Sequence, residues 1–252
     1  MRIISFTNQK GGVGKTTSTI NTGAGLSKLG YNVLLIDMDS QANLTYSLKK
    51  HSTKLRKSVY EVLKGECSAS SVIVDHADFD ILPASIELSG ADMELVNEPA
   101  RENLLKDALE EIKEQYDFIL IDCPPNLGLL TLNAFTASNE LIIVLQSEYL
   151  ALHGLSKLIG LIKIVQKRLN PDLKVEGIVC TIYDKRKNLN REVVGYIRDY
   201  FGSKVYNTII RDNVALAEAP SYHKTIFEYD EDSHGAEDYL LLAKEVRNGV
   251  AK

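Results

Sequence analysis

Apolar residues fall along this chain in short continuous runs separated by segments with helical spacing. Runs at 3–6, 31–37, 79–82, 118–122, 141–146, 175–183 and 205–210 are rich in Ile, Val and Leu and have strand length. Between them, Ile20, Ala24, Leu26 and Leu29 recur at three- and four-residue intervals, and Gly30 supplies a helix stop. Similar helical patterns cover 99–114, 151–169, 189–201 and 235–248. Continuous rather than alternating apolar strands, interleaved with helices, predict an α/β fold: a mostly parallel twisted sheet covered by helices on both faces. No repeat, low-complexity tract or clear linker interrupts the pattern, so one domain over 1–252 is expected. Residues 49–76 carry the weakest periodicity and read as a small helical excursion. In such a sheet ligands bind at the C-terminal ends of the strands. Asp37, Asp39 and Asp122 all fall at strand ends of that kind.

The first strand-to-helix connection carries the strongest chemistry. Lys10-Gly11-Gly12-Val13-Gly14-Lys15-Thr16-Thr17 approaches the phosphate-loop pattern G-x-x-x-x-G-K-[ST], but Gln9 stands where its first glycine would be. Such a loop turns successive backbone N–H groups toward anionic oxygens, and glycine permits the dihedrals this needs. Lys15 would bring charge to the outer phosphates, and the Thr16 hydroxyl suits a Mg²⁺ ligand. Lys10 is an additional cation at the loop entrance, able to reach its own nucleotide or a neighbour's. Strand, loop and helix stand in the required order, which disfavours a glycine-rich turn with incidental lysines.

Two acidic segments complete the candidate site. Asp122 ends an apolar strand and precedes Cys123-Pro124-Pro125, so it reads as the carboxylate that holds Mg²⁺; residues 126–128 could then sense a γ-phosphate. The alternative is a cap for a helix starting near Leu127. Asp37 and Asp39 lie two apart and share a face. Asp39 is assigned to positioning an attacking water and Asp37 to supporting the metal shell, with capping of the segment near Gln41 open to either.

Charge and cysteine content narrow the classes. The chain has 29 Lys and Arg against 34 Asp and Glu, a net charge of −5. An acidic chain binds DNA only through a localised patch. Residues 183–224 hold eight Lys and Arg against five Asp and Glu, and Lys185, Arg186, Lys187, Arg191 and Lys224 are the candidate DNA contacts; a solvated face explains the same local surplus. The three cysteines, Cys67, Cys123 and Cys180, are far apart and lack metal-site spacing, which suggests a reducing compartment and no structural zinc. No apolar run reaches 18 residues, and the chain opens directly into a strand, so neither a transmembrane helix nor a signal peptide is expected.

With these residues in view, the chain resembles the ParA/Soj family of partitioning ATPases. The resemblance is carried by 8–17, by Asp37-Met38-Asp39-Ser40-Gln41-Ala42-Asn43, and by Ile121-Asp122-Cys123-Pro124-Pro125-Asn126-Leu127-Gly128. It continues in 148–154, 216–221 and 235–237, nearly end to end. It implies a deviant Walker A ATPase using Mg²⁺. ATP would promote a sandwich homodimer in which Lys10 contacts the nucleotide across the interface. That dimer would bind double-stranded DNA without sequence preference, and a ParB-like activating protein would stimulate hydrolysis and release. The implied location is the cytoplasm, on the nucleoid when ATP is bound, with no membrane partner. ATP-binding residues would include Lys10 to Thr17, with Arg211 and Asn213 near the adenine. The DNA-binding helix-turn-helix found ahead of the first strand in some relatives is not expected.

Three positions depart from the family pattern. Arg211 replaces the usual proline beside the adenine, Ala215 replaces a basic residue implicated in DNA contact, and Ser40 replaces a proline. Losing one phosphate contact lowers affinity and its salt slope without abolishing binding. Four other readings use related sequences. A membrane-recruited, MinD-like ATPase would need a basic amphipathic C-terminus, whereas 239–252 reads as a packing face that ends in small residues. An ATPase that positions a protein cargo is not separable by sequence. A DNA-binding regulator without turnover is disfavoured by Lys10, Lys15, Asp39 and Asp122. An iron–sulfur carrier would need paired cysteines.

Overall fold

A computed structural model describes residues 1–48, 57–148 and 154–249. Parts of three expectations fall outside these residues: 49–56 of the helical excursion, 151–153 of the helix over 151–169, and the C-terminal 250–252. Most of the family-like stretch at 148–154 also lies outside. The first half of the chain forms β1 (Arg2–Thr7), α1 (Lys15–Lys28), β2 (Val33–Asp37), α2 (Asn43–Leu48), α3 (Val59–Leu63), β3 (Val74–His76), β4 (Phe79–Leu82), α4 (Ala91–Glu94) and α5 (Leu104–Leu109). Then come β5 (Phe118–Asp122), α6 (Leu129–Ala137), β6 (Glu140–Gln146), α7 (Leu155–Arg168), β7 (Lys174–Tyr183) and α8 (Asn188–Phe201). The chain closes with β8 (Val205–Arg211), α9 (Val214–Glu218), α10 (Ile226–Tyr229) and α11 (His234–Asn248).

The strands make one eight-stranded sheet in the order β3-β4-β2-β5-β1-β6-β7-β8. Every pairing is parallel except β3 with β4, an antiparallel edge hairpin. The expected mostly parallel α/β sheet is therefore the observed one. β1 lies between β5 and β6, and Phe6 and Asp37 both stand in register with Asp122. This register brings the loop after β1 and two of the acidic residues to one end of the sheet.

Side-chain alternation divides the apolar strands between two cores. Ile3, Leu34, Ile36, Ile119 and Ile121 pack under α3, α5, α6, α7 and α8, while Ile4, Phe6, Val33, Leu35 and Leu120 pack under α1 and α11. α1 lies close because it carries glycines at its contacts. A Cβ on Gly23 would come within 2.5 Å of Leu35, and one on Gly25 within 2.8 Å of the Ala243 side chain. Among the described residues, no helix is long and apolar enough to cross a membrane.

Two helical expectations change. The stretch 99–114 is broken into a 3-10 turn at Arg101–Asn103, the six-residue α5 and a second 3-10 turn at Lys113–Gln115. Ala100, at φ 50°, turns the chain just before the first piece. α6 occupies a segment without an amphipathic period: seven of its nine residues are buried, so apolar side chains surround it. The weakly patterned 49–76 stretch does contain a helix, α3, closed by a Ser58–Glu61 capping box.

Candidate active site

The loop between β1 and α1 takes the shape its glycines allow. Gly12 and Gly14 have φ values of 74° and 87°, in the left-handed region, and Gly14 is the N-cap of α1. Asn8 pins the loop entrance: its amide donates to the Val144 carbonyl at 2.6 Å and its oxygen accepts Lys10 N–H at 3.0 Å. At the apex, Val13 is buried in the core, and its carbonyl accepts the Thr181 hydroxyl at 2.7 Å. Lys15 is also buried, with Nζ 3.4 Å from the Lys10 carbonyl, so its ammonium lies within the curve of the loop. No acidic side chain occupies the first turn of α1. Free N–H groups, the positive end of the helix dipole and the Lys15 ammonium therefore converge on one point, which suits an anion.

Lys10 does not join Lys15. Its Nζ donates to Gln146 Oε1 at 3.1 Å, at the last residue of β6, and to Glu148 Oε2 at 3.0 Å just beyond it, and its side chain is 41% exposed. An exposed pair of this kind is worth about 0–1 kcal/mol, so it does not fix the lysine there.

Three carboxylates face the loop, each differently engaged. Thr16 Oγ1 donates to Asp122 Oδ2 at 2.6 Å, whereas Asp122 Oδ1 is buried without a hydrogen-bond partner. Burial, and then the charge of Asp37, hold the Asp122 carboxyl well above the usual carboxylate range. Asp37 is fully buried and fully used: Oδ2 accepts Thr45 N–H at 2.9 Å and Thr45 Oγ1 at 2.7 Å, and Oδ1 accepts Asp39 N–H at 3.1 Å. Burial raises Asp37 to about 6, against the lowering pull of those bonds. Asp39 Oδ1 accepts Gln41 N–H at 3.0 Å, a local side-chain turn ahead of α2, which begins only at Asn43, and the residue also lines the cleft.

The orphaned Asp122 oxygen tests the fit of a cation. A buried carboxylate with one free oxygen, beside a hydroxyl and two further aspartates, is costly unless positive charge joins it. Thr16 and Asp122 could hold Mg²⁺, with Asp37 shaping the surroundings through Asp39. Among the described residues, no cluster of three or more His, Cys, Asp and Glu forms a metal cage. Mg²⁺ in phosphate sites needs none, since phosphate oxygens and water complete its shell.

A cleft of about 610 Å³ runs from the loop across the ends of the strands. Gly11, Lys15, Thr16 and Asp39 line one end; Ile182, Ile210, Arg211, Asn213 and Leu216 line the other. Arg211 reaches this wall, but its guanidinium is engaged by α11: with Asp238 through Nε at 3.0 Å and Nη2 at 2.6 Å, with Glu237 at 2.6 Å, and with His234 Nδ1 at 3.1 Å. Asn213 caps α9, its oxygen accepting Ala215 N–H, which leaves its amide NH₂ for a ligand.

The candidate DNA contacts fall into two places. Lys185, Arg186 and Lys187 occupy the loop between β7 and α8, and Arg191 lies in the first turn of α8; all four are exposed. Arg186 is held by Asp184, with Nε–Oδ1 and Nη2–Oδ2 both 2.9 Å. Lys224 is apart from these, after the turn Ala219–Tyr222, next to His223 whose ring contacts the Tyr46 carbonyl. Thr181, Asn8 and Thr45 were not anticipated. Polar residues inside or just after apolar strands were the only trace of the first two.

Comparison with known proteins agrees with this geometry. The AAA_31 family model, an AAA domain, matches residues 1–175. The sporulation initiation inhibitor protein Soj of Bacillus subtilis is 49% identical over 97% of this chain and 98% of that protein. The chromosome-partitioning ATPase Soj of Treponema pallidum is 49% identical over 97% of this chain and 96% of its own length. Among solved structures, the cobyrinic acid a,c-diamide synthase of Mycobacterium smegmatis with bound ADP and magnesium superposes with a TM-score of 0.87 at 37% identity, covering 98% of this chain and 94% of that one.

Proposed function

The chain belongs to the Soj/ParA family of chromosome-partitioning ATPases, and from that premise we propose that it is a Mg²⁺-dependent ATPase acting as one domain. ATP binding closes it into a homodimer that holds DNA without sequence preference. The orphaned oxygen of Asp122 beside Thr16, at the mouth of the phosphate loop, is the observation that carries this reading.

In this reading the N–H groups of residues 11–17 wrap the phosphates and Lys15 lies along their outer oxygens. Thr16 and Asp122 would hold Mg²⁺, which when bound would supply charge neutralisation for the phosphates. Asp39 orients a water in line with the γ-phosphate. Phosphoryl transfer needs positioning and charge neutralisation more than a strong base, so one placed carboxylate suffices. Asp37 holds the Asp39 backbone through its N–H. Arg211 and Asn213 border the base, Arg211 through the face of a guanidinium whose edges are taken by α11. Lys10 leaves Glu148 and crosses to the partner's nucleotide, where it offsets repulsion between two facing triphosphates.

The DNA track is the β7–α8 loop and the start of α8, with Lys185, Arg186, Lys187 and Arg191, and Lys224 at a second position. α9 contributes no basic side chain, because Ala215 stands in it. A ParB-like partner stimulates hydrolysis and so releases the DNA. The protein works in the cytoplasm, on the nucleoid while ATP-bound, and without a membrane partner. The test is light scattering and DNA binding with ATP, ADP and no nucleotide, at two salt concentrations. A dimer and a salt-sensitive DNA complex should form with ATP alone; equal behaviour in all three states would overturn the reading.

A further inference from the structure

Two neighbouring residues at the end of β7 touch opposite ends of the cleft. Thr181 is buried, and its hydroxyl donates to the Val13 carbonyl at 2.7 Å, with the Leu145 carbonyl a longer second acceptor at 3.3 Å. Its Cβ lies 4.0 Å from where a Cβ on Gly14 would stand, so Thr181 backs the apex of the phosphate loop. Ile182 lines the opposite wall and has φ 53°, a left-handed backbone that a β-branched residue rarely adopts. The parallel pairing of β7 with β8 shifts register between Cys180 and Tyr183, across these two residues. The Thr181 carbonyl is also fixed, accepting Ser147 N–H at 3.0 Å and Ser147 Oγ at 3.1 Å. A strained residue persists where its surroundings over-determine it, and such strain clusters at functional sites.

We propose that Thr181 is a positioning residue for nucleotide binding: its hydroxyl sets the Val13–Gly14 peptide so that the Gly14 N–H faces the phosphates. The peptide unit is planar and trans, so its C=O and N–H point to opposite sides. Holding the Val13 carbonyl against β7 turns the Gly14 N–H away from β7, toward the side the loop encloses. The left-handed turn at Ile182 lets consecutive residues serve the loop and the far wall. The loop is thereby shaped before a ligand arrives, and binding need not supply its ordering cost.

This inference rests on the nucleotide-binding reading of the cleft, and the experiment separates the two. Affinities for Mg-ATP and for Mg-tripolyphosphate, which lacks the base, are measured by calorimetry for the wild type, Thr181→Val and Thr181→Ser. Removing the donor to a buried carbonyl should weaken both ligands of Thr181→Val by a similar factor, about tenfold. Its KM for ATP should rise while kcat at saturation stays within about twofold, as expected when ground state and transition state lose the same contact. Thr181→Ser, which keeps the hydroxyl, should restore both affinities; a purely packing role would instead spare valine, which has nearly the shape of threonine, and impair serine, which lacks the methyl group. Wild-type tripolyphosphate affinity in Thr181→Val would overturn the proposal. So would a loss confined to ATP, or failure of serine to rescue. If Thr181→Val does not fold, Thr181→Cys, with its weaker donor, replaces it in the same comparison. A wild type that binds neither ligand refutes the nucleotide-binding reading instead.

Discussion

Asp37 and Asp122 are register partners at the C-terminal ends of neighbouring parallel strands, yet only Asp37 has both oxygens hydrogen-bonded. Asp122 spends one oxygen on Thr16 and keeps the other buried without a partner. Two carboxylates of the same type, side by side in one buried layer, therefore do different work. Asp37 organises backbone and Asp122 is left with capacity for a ligand.

The difference predicts opposite consequences of removing each. Asp37→Ala strands the N–H and hydroxyl of Thr45 and the N–H of Asp39, and should cost about 2–3 kcal/mol of folding stability. Asp122→Ala leaves only the Thr16 hydroxyl to find another acceptor and removes an uncompensated buried carboxylate. Its nucleotide-free stability should stay within about 1 kcal/mol of wild type or rise. Urea denaturation without nucleotide measures both. ATP titrations with and without Mg²⁺ complete the pair: the Mg²⁺-dependent gain in affinity should vanish in Asp122→Ala. Equal destabilisation by the two variants would show that Asp122 is structural.

Lys10 stands apart from the phosphate end of its own loop, held by Gln146 and Glu148. Lys10→Ala should therefore bind ATP with affinity close to wild type through Lys15, yet remain monomeric in ATP by size exclusion with light scattering. A normal ATP-dependent dimer in this variant would remove the cross-subunit role. Gly11→Val should block dimerisation by bulk, because the space where its Cβ would stand is open in the monomer.

Most of this fold was legible because parallel strands buried on both faces are nearly unbroken apolar runs. β3 was not, since Val74, Asp75 and His76 make only a short, largely exposed edge strand. α6 was read only as a helix starting near Leu127, without its extent, for the opposite reason: apolar and buried almost all round, it has no amphipathic period. At the site, residue types dictated by phosphate chemistry, Gly12, Gly14, Lys15, Thr16 and Asp122, could be read directly. Thr181, 168 positions from Val13, could not, because its role exists only once β7 lies beside β6. Arg211 was legible as a departure from its relatives, but not its engagement with Asp238 and Glu237, which lie in α11, the third helix after it.

Asp39 should separate turnover from binding. Lys15, Thr16 and Asp122 remain to hold Mg-ATP in Asp39→Ala, while the group assigned to the attacking water is gone. Phosphate release should fall by at least about a hundredfold, the scale of a lost positioning group, with the ATP-dependent dimer and its DNA complex persisting. Unchanged hydrolysis would move the assignment elsewhere, to Asp37 first. Loss of ATP binding itself would mean that the Asp39–Gln41 turn shapes the site.

DNA binding should be weak, sequence-independent and steeply salt-dependent, because an acidic chain offers only a local patch and phosphate contacts carry no base information. Two patches in one dimer raise apparent affinity without a new contact type, so the ATP state should bind best. Lys185 and Arg186 differ in what they have free: Arg186 is already forked onto Asp184, whereas Lys185 is exposed with no ion pair among the described residues. Lys185→Glu should thus weaken binding more than Arg186→Glu, and the double variant should abolish it at moderate salt while leaving dimerisation intact. Ala215→Arg adds a cation to α9, whose residues are all at least partly exposed, and should strengthen binding and steepen its salt dependence by about one phosphate contact. Fluorescence anisotropy of a labelled duplex across a salt series reads all four proteins. If the ATP dimer shows no binding at low salt and Ala215→Arg creates none, DNA is not the track, and an ATPase that positions a protein cargo becomes the better account.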